Sequence, residues 1–495
     1  MSIRKFACVA ALACLLPFVE ARAYEWHDSI EYKAEVGTTL SGGAHTPFWL
    51  QSNKYGFSGL ERNNLWLRVG AFKHIDEAPR FSWGAGVDLG VAHRMQSTFI
   101  PQQLYAEVRY RCLDAMIGAK ELSDGFLDQS LSSGSLTQGW NARPLPQVRI
   151  GIFDYADVWG CKEMFAVKGH IAYGMFDDNW WLNRWANPDY RYSLNTLYCS
   201  RAIYFRGGNA KKFPLEGELG LVMDTQFGGK TWIPAEGNRE GYWEKHPTYL
   251  KAWAKAFIPT AGGTDTAPGE QTNVEGNFLG NWSMSLKWQD PSGWMVRLYY
   301  QHFFEDHSML FFDYPWKDGL YGVQGKLPAN PFVSDILYEF FYSKDQAGPC
   351  YWDHTSVIDY QISARDSYYN HYIYNGWQNW GQAIGSPLFI SPVYNDNHRL
   401  HFLHNRLISH HFGIKGTPSR QTDYRLLVTW MRSWGSYTLP LPHPEENFSW
   451  LAQVNWHPQS LPGWNASVSL GMDHGKLLGN SFGVQLAISK TGWIK

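Results

Sequence analysis

Beyond its first two dozen residues, the 495-residue sequence contains no apolar run of the ~18 residues that a membrane-crossing helix requires. If such a chain crosses a bilayer, strands must do it. Charge of neither sign is in excess: 43 Lys and Arg stand against 45 Asp and Glu, a net charge of −2, which removes the electrostatic case for nucleic acid. Cysteine is scarce. Past the first two dozen residues only Cys112, Cys161, Cys199 and Cys350 remain, far apart and without C-x-x-C spacing, so no zinc site is specified and any disulfide pairing stays open. No H-E-x-x-H motif occurs. No Pro/Ser linker, charge run or repeat divides the chain into the two to four or so soluble domains its length would ordinarily suggest, and one large closed unit fits better.

Aromatic rings are what the sequence has in abundance. It carries 25 Trp, 28 Tyr and 28 Phe, 16% of all residues, together with a negative mean hydropathy. A barrel uses such rings at its two membrane interfaces while its lumen stays polar; a large secreted, β-rich sugar-binding protein shares the composition. At the N-terminus, Arg4 and Lys5 precede an apolar run from Phe6 to Val19 that closes on Ala21-Arg22-Ala23. This pattern predicts a secretory signal over residues 1–23.

Periodicity supplies the fold. Phe81, Trp83, Ala85, Val87, Leu89 and Val91 alternate with Ser82, Gly84, Gly86, Asp88 and Gly90, a period of two that makes a strand with one apolar and one polar face. The Gly-rich polar side predicts a crowded lumen or a bend. Phe278, Trp282, Met284, Leu286 and Trp288 likewise oppose Asn281, Ser283, Ser285, Lys287 and Gln289. Asp290-Pro291-Ser292-Gly293 predicts a turn, and Trp294, Val296, Leu298 and Tyr300 the returning strand. The steps from Phe278 to Trp288, at ~3.3 Å each and tilted by about 40°, rise roughly 25 Å, the height of a lipid-facing band, with a ring at each girdle. Similar alternation fills the chain to its C-terminus. Strands in lipid cannot end in an open edge. The expected fold class is therefore all-β: a single transmembrane antiparallel β-barrel over residues 24–495, of about 18 strands. Its lumen is partly plugged, a periplasmic or plug segment occupies about residues 24–60, and the expected location is the cell outer membrane.

Several segments then resemble the Wzi-type capsule assembly family of outer-membrane proteins. They include Thr46-Pro47-Phe48-Trp49-Leu50-Gln51-Ser52-Asn53-Lys54-Tyr55-Gly56, Leu131-Ser132-Ser133-Gly134-Ser135, and Asn141-Ala142-Arg143-Pro144-Leu145-Pro146-Gln147. Phe304-Glu305-Asp306, Asp318-Gly319-Leu320-Tyr321-Gly322, Tyr342 to Pro349, and Asn405-Arg406-Leu407-Ile408-Ser409-His410-His411 continue the likeness in order along the chain. The resemblance implies a barrel of about eighteen strands that attaches or organises surface polysaccharide as a lectin-like anchor without catalysis or cofactor. Its implied partners are the polysaccharide, outer-membrane lipid and export or assembly machinery, and the expected state is a monomer. The sequence departs from the better-known branch in showing no amphipathic helical bundle before Leu65.

Two clusters are candidates for carbohydrate contact. Asp177 to Trp185 packs Trp180, Trp181 and Trp185 among Asn183 and Arg184, and Tyr368 to Trp380 offers Tyr369, Tyr372, Trp377 and Trp380. Flat rings beside hydrogen-bonding side chains suit a pyranose, whose faces are C–H and whose rim is hydroxyl; the same residues also suit an interface girdle or a loop folded into the lumen. His398, His401, His404, His410 and His411 invite a metal, but strand geometry puts His401 and His411 opposite the others, which splits the set. Asp353-His354-Thr355-Ser356 and the pair Glu305 and Asp306 hold catalytic residue types without catalytic spacing. The expected protein is not an enzyme, and the alternative function is a porin or substrate channel, for which the polar lumen faces speak.

Overall fold

The structure, a computed structural model, describes residues 30–76, 79–158, 164–209, 213–258, 276–305, 316–328, 330–346 and 366–494. The expected signal at 1–23, the Asp353 to Ser356 run, Asp306, Cys161 and Cys350 lie outside the described residues. In chain order the barrel strands are β1 (Ile30–Gly43), β2 (Asn64–Lys73), β3 (Phe81–His93), β4 (Phe99–Tyr110), β5 (Leu113–Ala119) and β6 (Gln147–Asp157). They continue with β7 (Phe165–Met175), β8 (Leu197–Gly207), β9 (Leu215–Phe227), β10 (Asn277–Gln289), β11 (Met295–Glu305) and β12 (Gly319–Lys326). The last six are β13 (Asp335–Tyr342), β14 (Leu407–Ser419), β15 (Thr422–Gly435), β16 (Pro440–Trp456), β17 (Trp464–Gly475) and β18 (Ser481–Ile494). Each pairs antiparallel with the next, and β1 pairs with β18 from Ile30↔Ile494 to Gly43↔Ser481. The sheet is therefore a closed eighteen-stranded up-and-down barrel, the architecture and strand number expected from the sequence.

Period-two alternation decides which side chains face out. On β3 the apolar set Phe81, Trp83 and Val87 is exposed, while Ser82 and Asp88 are buried in the lumen. The inward glycines make room for rings: a Cβ on Gly86 would lie 2.3 Å from the Tyr105 ring, and one on Gly90 2.3 Å from Phe57. The crowding expected of the Gly-rich face is present, and the pairing of β3 with β4 also shifts register between Asp88 and Leu89. The Asp290 turn forms as expected, with its carboxylate accepting from Ser292 Oγ at 2.7 Å and the Trp294 amide at 3.1 Å while Gly293 takes φ +97°. Trp288, Trp294, Trp456, Trp464 and Trp493 are all exposed at this end of the wall, a ring of indoles. Phe278 departs from expectation. It shares the outward side with Trp282, but it is buried, with its ring centre 5.9 Å from that of Phe304, so it belongs to no girdle.

The two ends of the barrel differ. At one end the strands join through short turns such as 111–112, 290–294 and 420–421; at the other the connections 44–63, 120–146, 176–196, 228–276 and 343–406 are long. Three of these long connections fold into the lumen. Phe48, Trp49, Phe126, Leu136, Tyr369 and Phe389 belong to a single buried core inside the barrel. Polar wall residues hold it: Glu339 accepts from Ser132 Oγ at 2.6 Å, the Ser133 amide at 2.8 Å, Ser133 Oγ at 2.5 Å and Tyr299 Oη at 2.5 Å. Asp473 accepts from the Phe48 amide at 2.8 Å, at the start of the short helix α1 (Phe48–Gln51). The segment expected at about 24–60 as a plug is divided. Ile30, Tyr32, Ala34, Val36 and Leu40 alternate with Glu31, Lys33, Glu35 and Gly37 and make barrel strand β1, so only residues from 44 onward enter the lumen.

Candidate functional site

At the long-loop end the two aromatic clusters, about 200 residues apart in sequence, meet. Asp177 and Asp178 lead into helix α2 (Asn179–Trp185). Asp177 accepts from Trp380 Nε1 at 3.0 Å and Asn379 Nδ2 at 3.2 Å, and Asp178 from Gln378 Nε2 at 3.2 Å. Burial, then the neighbouring Asp177, raises the Asp178 carboxyl to about 7. The Trp181 and Trp185 rings stack at 4.7 Å, and Trp185 stacks on His398 at 4.8 Å. Trp180 stays 53% exposed, with the Arg184 guanidinium 3.7 Å from its ring centre, and Asn183 is exposed beside it. Trp380 is buried beneath Arg143, whose guanidinium lies 4.0 Å from the ring centre.

The expected site residues therefore separate into two groups. Tyr369 and Trp377 are fully buried in the plug: Tyr369 Oη donates to the Leu136 carbonyl, and Trp377 Nε1 donates to the Thr137 carbonyl at 2.6 Å. These two, with Trp181 and Trp380, have structural surroundings and no free ring face. Trp180, Asn183, Arg184 and Tyr372 remain open to solvent, and Trp185 is half-buried. Among the histidines, His411 is buried between Thr429 Oγ1 and the Leu131 carbonyl, whereas His398 sits on Trp185, so the set does not converge.

Sequence reasoning missed the cleft itself. A space of about 470 Å³ opens between residues 189–191, 370–374 and 399–401, lined by Tyr190, Arg191, Asn370, Tyr372, Arg399 and His401 among others. Tyr372 is 45% exposed, and the Arg399 guanidinium lies 5.2 Å from the Tyr190 ring centre. Asn370 locks the floor, accepting from the Phe402 amide at 2.8 Å and donating to the Phe402 carbonyl at 3.0 Å. Burial, then His246, pushes His371 down to about 3, and burial, then Arg399, takes His401 to about 4, so both rings are neutral at pH 7. Tyr190 and Arg399 sit apart from the dense aromatic runs, and no local pattern in the sequence marks them as partners. The cleft offers ring faces, two guanidinium groups, the Asp189 carboxylate and neutral imidazoles, a set suited to hydroxyl-rich ligands. A G-x-S-x-G run, Gly479 to Gly483, does occur, but Ser481 opens strand β18 with no helix after it, unlike a nucleophile elbow.

Comparison with solved structures gives the same architecture. Wzi from Escherichia coli, described as an outer-membrane protein involved in group 1 capsule assembly and a carbohydrate-binding β-barrel, aligns with a TM-score of 0.56 at 14% identity, covering 92% of this chain and 83% of Wzi. OpdL from Pseudomonas aeruginosa aligns at TM-score 0.47 and 10% identity over 94% of this chain and 99% of its own. No family profile and no curated protein matches the sequence. The chain has the fold of outer-membrane β-barrels.

Proposed function

We propose that this protein resides in the outer membrane and holds surface polysaccharide at its long-loop end, without catalysis, as a member of the Wzi-type group. The observation that carries the reading is the Tyr190, Tyr372 and Arg399 cleft, built on a barrel whose lumen is partly plugged by its own loops. Two further observations support it. The outward faces are apolar around the wall, with Val87, Leu104, Ile150, Phe205 and Leu298 all exposed, an arrangement that suits lipid and not water. Short turns at one end and long loops at the other match periplasmic and external ends.

The test is retention of capsular polysaccharide by the full chain in detergent. Tyr372→Ala and Arg399→Ala should each lower retention about tenfold, the loss of roughly 1.4 kcal/mol of ring or guanidinium contact. Retention unchanged by both removes the cleft from the site. A single-cysteine label at Trp180 should react on intact cells and one at Asp290 should not, because these residues lie at opposite ends of the barrel.

A further inference from the structure

Arg201 stands where a cation has no ordinary reason to be. On β8 it shares the outward side with Ile203 and Phe205, both exposed, yet it is itself only 6% exposed. Helix α3 (Leu250–Phe257) lies over it on the outside of the wall, seating Ala252 and Ala256 against Cys199 and Phe227, with Tyr173 Oη donating to the Trp253 carbonyl at 2.9 Å. Arg201 Nη1 donates to the Ala256 carbonyl at 2.8 Å and reaches Thr225 Oγ1 at 3.4 Å and Cys199 Sγ at 3.7 Å. Phe278 and Phe257 flank the guanidinium at 5.4 and 5.7 Å. Nε and Nη2 meet no acceptor among the described residues. Those two nitrogens form the edge with which arginine grips a phosphate or carboxylate through two parallel hydrogen bonds.

Arg201 also lines a groove of about 750 Å³ on the outer wall, together with Ile150, Ile171, Ile203, Leu221 and Met223, with Phe257 and Ile258 as its rim. Lys168 and His170 contribute only wall backbone, since their side chains bond inside the lumen to the Asp124 carbonyl and to Ser200 Oγ. We propose that the groove holds one membrane lipid, with an acyl chain along the isoleucines and an anionic phosphate on the Nε and Nη2 edge of Arg201. The inference rests on the membrane reading above. Charge complementarity selects the occupant: a guanidinium on a lipid-facing wall that leaves two of its three nitrogens without an acceptor among the described residues is costly. Nε and Nη2 are closed to water, so the phosphate enters as the rim at Phe257 and Ile258 shifts outward.

Native mass spectrometry of the full chain released from detergent tests this with three probes: dioleoyl phosphatidylglycerol, dioleoylglycerol and glycerol phosphate. The protein should retain one phosphatidylglycerol about tenfold better than dioleoylglycerol and should bind no glycerol phosphate. Arg201→Gln should abolish the preference between the two lipids, and Ile203→Trp, which fills the groove, should lower retention of both. Equal retention of the two lipids by the unmodified chain overturns the proposal without needing any variant to fold. Binding of glycerol phosphate alone overturns it in favour of a soluble anion site. A barrel that stays monodisperse without detergent instead defeats the membrane reading, which separates the two failures.

Discussion

Replacing Glu339 by Ala should loosen the plug while leaving the barrel closed. The carboxylate is 1% exposed and takes four hydrogen bonds, from Ser132 Oγ, the Ser133 amide, Ser133 Oγ and Tyr299 Oη. At roughly 1.5 kcal/mol per bond, the low end for a charged acceptor, the four bonds amount to about 6 kcal/mol, and water entering the space left behind returns part of it, leaving about 3 kcal/mol. The loop does not fall out. Lys415 Nζ still reaches Asp128 at 2.7 Å, Arg425 Nη1 the Ser130 carbonyl at 2.9 Å, and the Leu136 amide Gln301 Oε1 at 3.2 Å. Amide exchange over residues 130–137 should therefore accelerate about a hundredfold, the equivalent of ~3 kcal/mol, while heat-modified electrophoretic mobility keeps the folded-barrel position. In planar bilayers the parent protein should be silent and the variant should show brief openings. A stable open conductance in the parent would refute the plug as the state of the lumen, and unchanged exchange in the variant would refute Glu339 as its anchor.

Val87 lies midway along β3 and points outward, so Val87→Arg should destabilise the barrel in phospholipid vesicles by about 2–4 kcal/mol in a denaturant titration; a change within about 0.5 kcal/mol, the ordinary cost at a water-facing position, would argue that no lipid touches this face. Trp181→Ala should cost the 176–196 loop about 3 kcal/mol by removing a buried ring stacked on Trp185, read as faster exchange there, and polysaccharide retention should fall much less than in Tyr372→Ala. Asp178 titrates near 7 in the folded chain against about 3.8 ordinarily, so the folded form binds the extra proton and the stability it contributes is lost as pH rises from about 4 through 7. After correction for intrinsic rates, exchange of the Leu182 and Ala186 amides should quicken between pH 6 and pH 8, and Asp178→Asn should abolish that dependence.

The barrel was legible because its wall obeys one rule. Period-two alternation at Phe81 to Val91 and across the Asp290 turn needs no partner strand to be recognised, and closure follows from the chemistry of an unpaired edge in lipid. β1 was misread as part of a plug because Glu31, Lys33 and Glu35 make its polar face look like a solvated segment, although Ile30, Tyr32, Ala34, Val36 and Leu40 alternate with them. The candidate site was half legible. Dense rings at 180–185 and 369–380 do mark the region, but ring type does not distinguish Tyr372, which is open, from Tyr369 and Trp377, which are sealed in the core. That distinction depends on contacts across the lumen, such as Tyr369 with Leu136, for which one sequence carries no local signal. The segments that suggested a family prove to hold plug anchors: Phe48 on Asp473, Ser132 and Ser133 on Glu339, and Asn405 Nδ2 on the Tyr368 carbonyl at 2.9 Å.

A partly plugged lumen changes what the loops above it are able to do. In an open pore the long connections are tethered only at their ends, whereas here residues 120–146 and 366–406 are stitched to each other by Trp377 Nε1 on the Thr137 carbonyl at 2.6 Å, Asn141 Nδ2 on the Ala383 carbonyl at 2.9 Å and Tyr369 Oη on the Leu136 carbonyl. The cleft floor is the continuation of that core, since Asn370 and Phe402 close it from above while Phe402 packs on Tyr369 at 5.2 Å. Ring faces held this way lose little conformational entropy when a sugar docks, which is the condition for useful affinity from few contacts. A polysaccharide presents the same unit many times, so one modest contact per barrel, repeated over many barrels on one surface, gives strong retention of the chain. The apolar core inside the barrel is thus the feature that joins the fold to the proposed role, because it fixes the cleft in place at the same time as it occupies part of the lumen.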